Sequence, residues 1–557
     1  MKNLPIGISD YKRLIEDDYY YVDKTLFIKE FWDNAGHVKL IPRPRRFGKT
    51  LNMSMLKYFF EETQISNSYL FENTNIWQYE NYRKLQGQYP VIYITFKDTK
   101  QPSWQKTYEK LVTAISEEFK YHFSSIKPEI LESELNKYNN IRNGTALETD
   151  YSGSLKMLSE LLFKSTGKRV IVLIDEYDVP IHSGYTNDYY KEVVSFIRSL
   201  LSSVLKDNEY LEKGILTGIL MVAKEGVFTG LNNLWVYTLL DTGFQDKFGF
   251  TQNEVEQLLK DYNLTEQSKE IQDWYNSYKF GENTIYNPWS ILGCVKNGGL
   301  IEPYWVNTSD NEIIKTFLAK AGIGFKDDFE LLLSNKSVDK IIDKKLVFSD
   351  IEIDPAALWT LLLFTGYLTY TKLELIEGYI HCKLVIPNKE IKFLYKDFLR
   401  YFFRVSLRTS TMEQLSKALI SGDIPTFSIL LQEFVINNMS MYDIPNNEPE
   451  KSYHLFVLGL LVILADEYHV KSNRESGYGR YDIMLIPKDK SKVSYVVEFK
   501  KAISDKESLE DSAAKALEQI KSKQYAQELK ALGISNIQLV GIAFKGKELL
   551  VVSEKNS

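Results

Sequence analysis

The chain has 557 residues, of which 44% are hydrophobic and 25% charged, as in an ordinary soluble globular protein of two to four domains. A formal net charge of -6 excludes a uniformly basic nucleic-acid coat, so any contact with DNA or RNA must be local. Two widely separated cysteines, Cys294 and Cys382, exclude a disulfide scaffold and disfavour a cysteine-based zinc site. The most apolar run, at 455–465, is too short to span a bilayer, and the first residues carry no apolar signal core, so we expect a cytoplasmic protein without a membrane span.

The first informative stretch is IPRPRRFGKT at 41–50, between a predicted strand, HVKLI, and a predicted helix, TLNMSMLKYFF. In a P-loop, Gly48 would let the backbone approach the phosphates, Lys49 would reach them, and Thr50 would hold Mg²⁺. Arg43 stands in the place of the first glycine, which mainly serves the turn out of the strand. The alternative is a basic turn that happens to contain GKT. The residues predicted to surround ATP here are Arg46, Phe47, Gly48, Lys49, Thr50 and Leu51.

A second signal for a nucleotide site lies in KRVIVLIDEYD, where an apolar run ends in Asp175 and Glu176. A buried parallel strand that ends in two acidic residues is typical of a Walker B motif. Asp175 would hold the Mg²⁺ shell, and Glu176 would orient or activate the attacking water. PVIYITF predicts another strand. GILTGIL predicts a further strand with Thr217 in its middle, either as a sensor of the γ-phosphate or as a structural threonine.

Several motifs in order resemble one family of proteins. VDKTLFIKE, RPRRFGKT, VIVLIDEYD, LTG, GLNNL, FGFTQNEV and IYNPWSIL together resemble the bacterial and archaeal AAA-ATPase-like proteins, relatives of the AAA+ and STAND ATPases, over about residues 4–300. The family loop commonly reads RPRRFGK[ST], so the resemblance implies that Arg43 is its normal form. An arginine common in the family is replaced here by Met221. Arg45 and Arg46 either hold phosphate or a neighbouring subunit, or form local salt bridges. The resemblance leaves both a homo-oligomer and a monomer open.

The middle of the chain has a helical pattern and no catalytic constellation. ALWTLLLFTGYLTY and FLYKDFLRYFFRVSL are the strongest buried amphipathic segments. We predict a connector at 301–450 between an ATPase domain with a helical lid at 1–300 and a third domain at 451–557. The polar segment at 441–452 is the expected hinge, since its proline and asparagines disfavour regular structure.

The third domain is predicted to begin with a helix, YHLFVLGLLVILADEY, followed by two strands, DIMLI and VSYVVEF, around the polar PKDKSK. Asp482 and Glu498 each lie eight residues from Lys490, so a hairpin centred there places them opposite each other, with Cβ atoms about 5 Å apart. Lys500 follows Glu498 by two positions and shares its face. Two carboxylates and an ammonium on one buried face would be costly without a bound cation.

A divalent cation would resolve this conflict. Asp482 and Glu498, with the carbonyl of Phe499, would ligate Mg²⁺ or Mn²⁺. The metal would polarise a phosphodiester and lower the pKa of its water, and Lys500 would position or deprotonate that water and stabilise the developing charge. The D-x15-E-x-K pattern and the helix KALEQIKSKQYAQEL resemble the PD-(D/E)XK nuclease superfamily over about residues 451–550. The alternative is a surface hairpin whose charges pair with each other.

The resemblance to the nuclease superfamily points to further residues. Gln519 and Tyr525 match positions near the site in that family, although a solvated helix face would account for them equally. Glu475 is a candidate third acidic ligand or a partner in a loop salt bridge, and Tyr481 stands where the pattern has a proline. Residues 471–557 hold sixteen Lys and Arg against twelve Asp and Glu, which is a mildly basic footprint suited to phosphate.

Together these patterns predict an α/β protein with a P-loop ATPase domain built on a parallel sheet, a helical middle region and an α/β restriction-endonuclease-like domain. We expect ATP and Mg²⁺ as cofactors, with Mn²⁺ possible at the nuclease site, and nucleic acid, DNA more than RNA, as substrate. Nucleotide state would control cleavage in a role such as defence, mobile-element control or repair. The alternative is a nucleotide-switched, STAND-like protein whose nuclease-like module binds nucleic acid or a partner without cutting.

Overall fold

The chain divides into two compact units, one of Met1–Ala319 and Asn335–Ile391 and one of Lys320–Ser334 and Lys392–Ser557. The computed structural model describes residues 1–221, 228, 231, 233–305, 328, 329, 331–344, 355–406, 409–441, 464, 467–476, 479–502, 507–545 and 548–556.

The first unit is an α/β structure. Its strands are β1 Val38–Pro42, β2 Val91–Thr95, β3 Val170–Asp175, β4 Leu211–Gly218, β5 Leu234–Val236, β6 Tyr278–Phe280, β7 Asn283–Ile285, β8 Val338–Ile342, β9 Thr369–Ile376 and β10 Tyr379–Val385. Its helices are α1 Tyr11–Glu16, α2 Leu26–Asp33, α3 Lys49–Phe60, α4 Glu80–Arg83, α5 Trp104–His122, α6 Pro128–Leu131, α7 Leu135–Arg142, α8 Glu148–Thr166, α9 Val179–Thr186, α10 Tyr190–Leu205, α11 Gln252–Asp261, α12 Ser268–Tyr275, α13 Pro288–Lys296 and α14 Pro355–Phe364. Single 3-10 turns lie at Ser68–Leu70, Asn75–Gln78, Lys97–Thr99, Phe123–Ser125, Glu132–Glu134 and Thr265–Gln267.

The largest sheet of this unit has the order β2-β3-β4-β1-β5, and every neighbouring pair is parallel. β1 and β3 are buried along their whole length, as their near-continuous apolar runs require. The predicted parallel sheet is therefore confirmed. β4 lies between β1 and β3, so the carboxyl ends of these three strands meet at one edge of the sheet. Thr217 is the penultimate residue of β4, where the sequence pattern had placed it in the middle of the strand.

The middle region contains the expected helices and also a small sheet that the pattern did not predict. β8, β10 and β9 pair antiparallel in that order. The predicted helical segment ALWTLLLFTGYLTY is divided, because α14 ends at Phe364 and β9 begins at Thr369. Gly366, between them, has a φ of +88°, a conformation that ends a helix at little cost only for glycine.

The second unit holds a five-stranded mixed sheet of order β11-β12-β13-β14-β15, in which β13 and β14 are parallel and the other neighbours antiparallel. Its strands are β11 Tyr468–Ser476, β12 Gly479–Pro487, β13 Ser494–Lys501, β14 Ile537–Lys545 and β15 Glu548–Asn556. Its helices are α15 Lys389–Ser406, which begins in the first unit, α16 Thr409–Ser421, α17 Ile424–Met441, α18 Leu509–Ser522 and α19 Gln527–Ala531. α18 packs on β13 and β14.

Some sequence predictions for this unit differ from the structure. Glu475, expected in a loop, lies in β11 and pairs with Arg480 of β12. The predicted helix KALEQIKSKQYAQEL is broken after Ser522, where Gln524 takes a φ of +54°. The helix predicted from 453 and most of the hinge at 441–452 fall outside the described residues; Tyr468, the predicted helix end, begins β11 instead. Within the described ranges, no helix combines the length and apolar character needed to cross a bilayer.

Candidate active sites

The P-loop segment connects the end of β1 to α3, which begins at Lys49. Gly48 has a φ of +85°, so a side chain there would strain the backbone although no other heavy atom lies within 4 Å of its Cβ position. The Lys49 ammonium donates to the carbonyl oxygens of Arg43 and Pro44, each at 3.0 Å. Burial lowers the pKa of Lys49, and the Glu176 carboxylate opposes this shift. The lysine therefore lies inside the loop, held by the loop's own backbone.

Asp175, the last residue of β3, is buried and accepts hydrogen bonds from three hydroxyl groups. Thr50 Oγ1 donates to Oδ2 at 2.8 Å, and Thr217 Oγ1 donates to Oδ1 at 2.6 Å. Thr95 Oγ1 contacts Oδ2 at 3.4 Å. The structure thus brings together three residues that the sequence assigned to the nucleotide site, and it adds Thr95. The signal for Thr95 was its place at the end of β2, paired with Asp175 in the parallel register.

Glu176 and Asp178, the two acidic residues that follow β3, have different surroundings. Glu176 takes a φ of +55°, a conformation that costs about 1–3 kcal/mol in a residue other than glycine. Burial raises its pKa, while Lys49 opposes the shift. Asp178, which the sequence analysis missed, is buried, and its Oδ2 accepts the backbone N–H groups of Ile219 at 2.8 Å and Leu220 at 3.0 Å. Asp178 therefore fixes the chain that follows β4.

Arg43 has a structural role that the loop pattern did not show. Its side chain is fully buried, over the rings of Phe248 and Phe280 at 5.4 and 5.3 Å from their centroids. Burial lowers its pKa to about 10. Arg43 thus anchors the start of the loop to the chain after β5. Its guanidinium donates to four carbonyl oxygens: those of Pro42 at 2.8 Å, Tyr237 at 2.7 Å, Gly243 at 3.4 Å and Phe244 at 3.3 Å.

The remaining residues predicted to surround the nucleotide divide between surface and core. Arg46 places its guanidinium 4.3 Å from the ring centroid of Trp289, which is a cation–π contact, and it forms no salt bridge with a described residue. Phe47 is buried against Tyr278 and can face phosphate only through its backbone. Leu51 is half-buried in the first turn of α3.

In the second unit, β12 and β13 pair in the register that the sequence predicted, with Ile483 opposite Val497. Asp482 and Glu498 are the next positions of this register and therefore share a face. The backbone N–H of Phe499 donates to Asp482 Oδ2 at 2.7 Å, so the Phe499 peptide lies beside this carboxylate. Burial raises the pKa of Asp482, and the Phe499 hydrogen bond opposes the shift.

Glu498 is only 3% exposed, and its two oxygens have different surroundings. Oε1 accepts a hydrogen bond from Gln519 Nε2 and lies 3.6 Å from Lys500 Nζ. Oε2 has no hydrogen-bond partner among the residues that the structure describes. Burial and the Asp482 carboxylate raise the pKa of Glu498 to about 8, against the influence of Lys500. Gln519 also donates to the hydroxyl of the buried Tyr525 at 3.3 Å, so this part of α18 is not a solvated face.

This arrangement fits a divalent cation. A buried carboxylate oxygen without a partner, beside a second carboxylate, is a site that a hard cation stabilises. Asp482 and Glu498 would hold it, together with backbone oxygen and water; within the described residues, no group of three or more His, Cys, Asp or Glu side chains converges. Lys515 is paired with the Glu507 carboxylate at 2.7 Å. The side chain of Glu475 lies outside the described residues.

Comparison with known families gives a match for each of these two parts of the chain. Residues 5–228 match the family model described as "Predicted AAA-ATPase", and residues 448–554 match the PD-(D/E)XK nuclease superfamily. The chain is also similar to a protein of Azotobacter chroococcum mcd 1 described as "Uncharacterized protein in vnfD 5'region", with 26% identity over 565 residues that cover 99% of this chain and 98% of that protein. The two resemblances carried by the sequence motifs are confirmed. The N-terminal part of the chain is thus similar to the AAA-ATPase-like proteins, and its C-terminal part is similar to the PD-(D/E)XK nuclease superfamily.

Proposed function

We propose that the protein binds and hydrolyses ATP at the P-loop and cleaves nucleic acid, DNA above all, at a metal site formed by Asp482 and Glu498. The observation that carries the nuclease proposal is the buried Glu498 Oε2, which lacks a partner in the described residues and lies on the same face as Asp482 and Lys500. The two cysteines of the protein are buried and form no disulfide, which fits a reducing cytoplasm. Defence against foreign DNA, mobile-element control and repair all suit such an enzyme.

At the nuclease site, the protein's own groups prepare the chemistry. A bound Mg²⁺ or Mn²⁺ supplies Lewis acidity and a nucleophilic water. The Phe499 N–H orients Asp482, and the Gln519 amide fixes the rotamer of Glu498, so that both carboxylates are held before substrate arrives. Lys500 would position the water and stabilise the negative charge that develops on the phosphate. The carbonyl of Phe499 would be a further ligand.

At the nucleotide site, Lys49 would exchange the two loop carbonyls for the β- and γ-phosphates of ATP. Thr50 and Asp175, already in contact, would hold Mg²⁺, which neutralises phosphate charge. Glu176 would orient the attacking water. Thr217, which donates a hydrogen bond to Asp175, would sense the γ-phosphate. The proposed function also includes control of nuclease activity by the nucleotide bound at this site.

Nuclease activity is tested with plasmid, linear and single-stranded DNA and with RNA, each with Mg²⁺, Mn²⁺ or EDTA. We expect Glu498→Ala to cut at least about 100-fold more slowly than the parent while it still binds nucleic acid. Glu554→Gln, which removes an exposed carboxylate of the same unit, is the matched control. Equal cutting by Glu498→Ala and the parent would refute the site. Binding by the parent without cutting would instead support the nucleotide-switched binding protein.

ATP turnover is tested separately. We expect Lys49→Ala to lose ATP binding, since its ammonium is the group that reaches the phosphates, and Glu176→Gln to bind ATP but turn it over slowly. Isothermal titration and phosphate release measure the two effects. Unchanged turnover in Lys49→Ala would remove the P-loop assignment.

A further inference from the structure

A series of hydrogen bonds within the first unit connects the P-loop to the first turn of α15. The indole Nε1 of Trp305 donates to the carbonyl oxygen of Arg45 at 3.3 Å. The backbone N–H of the same tryptophan donates to Glu390 Oε1 at 2.7 Å, and Ser290 Oγ donates to Glu390 Oε2 at 2.8 Å. We call the contacts from Arg45 through Trp305 to Glu390 the Trp305–Glu390 link.

The link is buried, which makes its geometry well defined. Trp305 is 1% exposed, and Glu390 is fully buried. Tyr367 packs edge-on against Trp305, with ring centroids 5.2 Å apart, and so restricts the indole to one orientation. Both oxygens of Glu390 are satisfied, one by Trp305 and one by Ser290 of α13. A carboxylate that served only to cap α15 would need no tryptophan bonded to the phosphate-binding loop.

The atom that Trp305 holds is well placed to respond to nucleotide. Arg45 lies directly after Pro44, whose carbonyl oxygen accepts the Lys49 ammonium. When Lys49 turns to phosphate, these carbonyls lose their donor and the peptide planes of the loop are free to rotate. Such a rotation would move the Arg45 carbonyl relative to the indole N–H.

The other end of the link is α15, one continuous helix from Lys389 to Ser406. Its residues up to Ile391 belong to the first unit, and its residues from Lys392 belong to the second. A helix transmits a displacement of its first turn along its length, because its hydrogen bonds make it stiff. The chain itself therefore provides a direct connection between the phosphate-binding loop and the unit that carries the candidate nuclease site.

We propose that Trp305 and Glu390 are positioning residues that transmit the nucleotide-dependent conformation of the P-loop at Arg45 to α15. The proposal rests on nucleotide binding at the P-loop, and it names the residues through which nucleotide state would control the second unit. Trp305 and Glu390 take no part in the chemistry of either site.

The test compares Trp305→Phe with Trp289→Phe in the full-length protein. Phenylalanine at 305 keeps an aromatic ring against Tyr367 but removes the N–H that binds Arg45. Trp289 contacts Arg46 of the same loop and has no bond to the described side chains of α15, so Trp289→Phe is the matched control. Hydrogen exchange of the amides of α15 is measured with and without ATP and Mg²⁺, and tryptophan fluorescence reports the same titration.

We expect ATP to change exchange in the first turns of α15 at least about fivefold in the parent and in Trp289→Phe, and less than twofold in Trp305→Phe. Glu390→Gln should lose part of the response, since its amide keeps the size of the side chain but weakens the bond from Trp305. ATP affinity, measured in parallel, should stay within about threefold of the parent value in Trp305→Phe.

Outcomes for the link and for the proposed function are distinguishable. If the parent binds ATP and its α15 exchange does not respond, or if Trp305→Phe responds as the parent does, the link is refuted while the ATPase proposal stands. If the parent fails to bind ATP, the P-loop assignment fails and the link fails with it. Because exchange is measured without nucleic acid, a lack of nuclease activity leaves this test unaffected.

Discussion

Replacement of Glu498 by glutamine should stabilise the second unit in the absence of metal and abolish its stabilisation by metal. Glutamine keeps the size of the side chain and an oxygen that can accept the hydrogen bond from Gln519, but it removes a carboxyl group whose pKa burial and the Asp482 carboxylate raise to about 8. This carboxyl group lies beside Asp482, with Lys500 Nζ 3.6 Å from Oε1, and Oε2 finds no hydrogen-bond partner in the described part of the chain. At neutral pH the folded, metal-free parent must therefore bind a proton that the unfolded chain does not carry, and removing this cost should stabilise the fold by about 1–3 kcal/mol.

Divalent metal should reverse this order of stability. A cation at about 100 times its dissociation constant stabilises the folded state that binds it by about 2.7 kcal/mol. The parent should gain this stability from Mg²⁺ or Mn²⁺, while Glu498→Gln should gain little because one of its two carboxylate ligands is lost. The variant is thus more stable than the parent in EDTA, and the difference closes or reverses with metal.

Urea unfolding followed by hydrogen exchange of β12 and β13 measures both effects without interference from the first unit. Glu554→Gln is the control, since its exposed carboxylate pairs with Lys521 at the surface and its loss should change stability by at most about 1 kcal/mol in either condition. A Glu498→Gln variant that is less stable than the parent in EDTA, or that metal stabilises as much as the parent, would refute a metal site at Glu498.

Three further outcomes follow from buried groups of the first unit. Arg43→Gly restores the consensus glycine yet should destabilise the fold by about 3–5 kcal/mol, since the backbone carbonyls that the guanidinium binds would lose their donor; an unchanged urea midpoint would contradict this. Gly218→Ala should slow ATP turnover at least about tenfold, because the added Cβ would lie 2.6 Å from Asp178 Oδ1; steady-state kinetics with normal kcat would show that the strand end yields instead. Glu390→Gln should flatten the pH dependence of stability. Burial raises the pKa of Glu390 from 4.5 to about 7, so the folded parent retains its proton longer than the unfolded chain and loses up to roughly 3 kcal/mol as the pH rises through this window. If the difference in thermal stability between the parent and Glu390→Gln is the same at pH 5 and at pH 8, Glu390 does not contribute this pH dependence. The neighbouring titratable groups, in which burial raises the pKa away from this window, are Tyr275, Tyr278, Cys294 and Tyr304.

The sequence predicted the geometry of the hairpin because its side chains obey a local rule. Alternation fixes which residues share a face, and a polar turn fixes the centre of the hairpin. Equal spacing of Asp482 and Glu498 from Lys490 was therefore enough to give the register that β12 and β13 adopt. The same reasoning gave the parallel sheet of the first unit, because buried parallel strands read as continuous apolar runs.

Contacts between segments that are distant in the chain could not be predicted from local sequence patterns. Gln519 reaches Glu498 only because α18 packs on β13 and β14, a result of packing that no local pattern encodes. Arg43 is another case, since a charged residue beside a phosphate-binding loop is expected to face phosphate. Its guanidinium instead binds Tyr237 and Phe244, about two hundred residues away in the chain, and the sequence carries no sign of this. Asp178 was missed because its partners are backbone amides, which every residue offers.

The two candidate sites differ in how their carboxylates are satisfied, and this difference predicts which unit depends on metal. Both oxygens of Asp175 accept hydrogen bonds from Thr50 and Thr217, so the protein alone compensates this charge. Glu498 has a described partner at Oε1 but none at Oε2, so its compensation is incomplete until a cation binds. Chelation should therefore leave the exchange of β3 and β4 unchanged and increase that of β12 and β13. The same asymmetry would let the phosphate-binding loop stay folded between cycles of ATP binding, whereas the candidate nuclease site would reach its full stability only when its metal is bound.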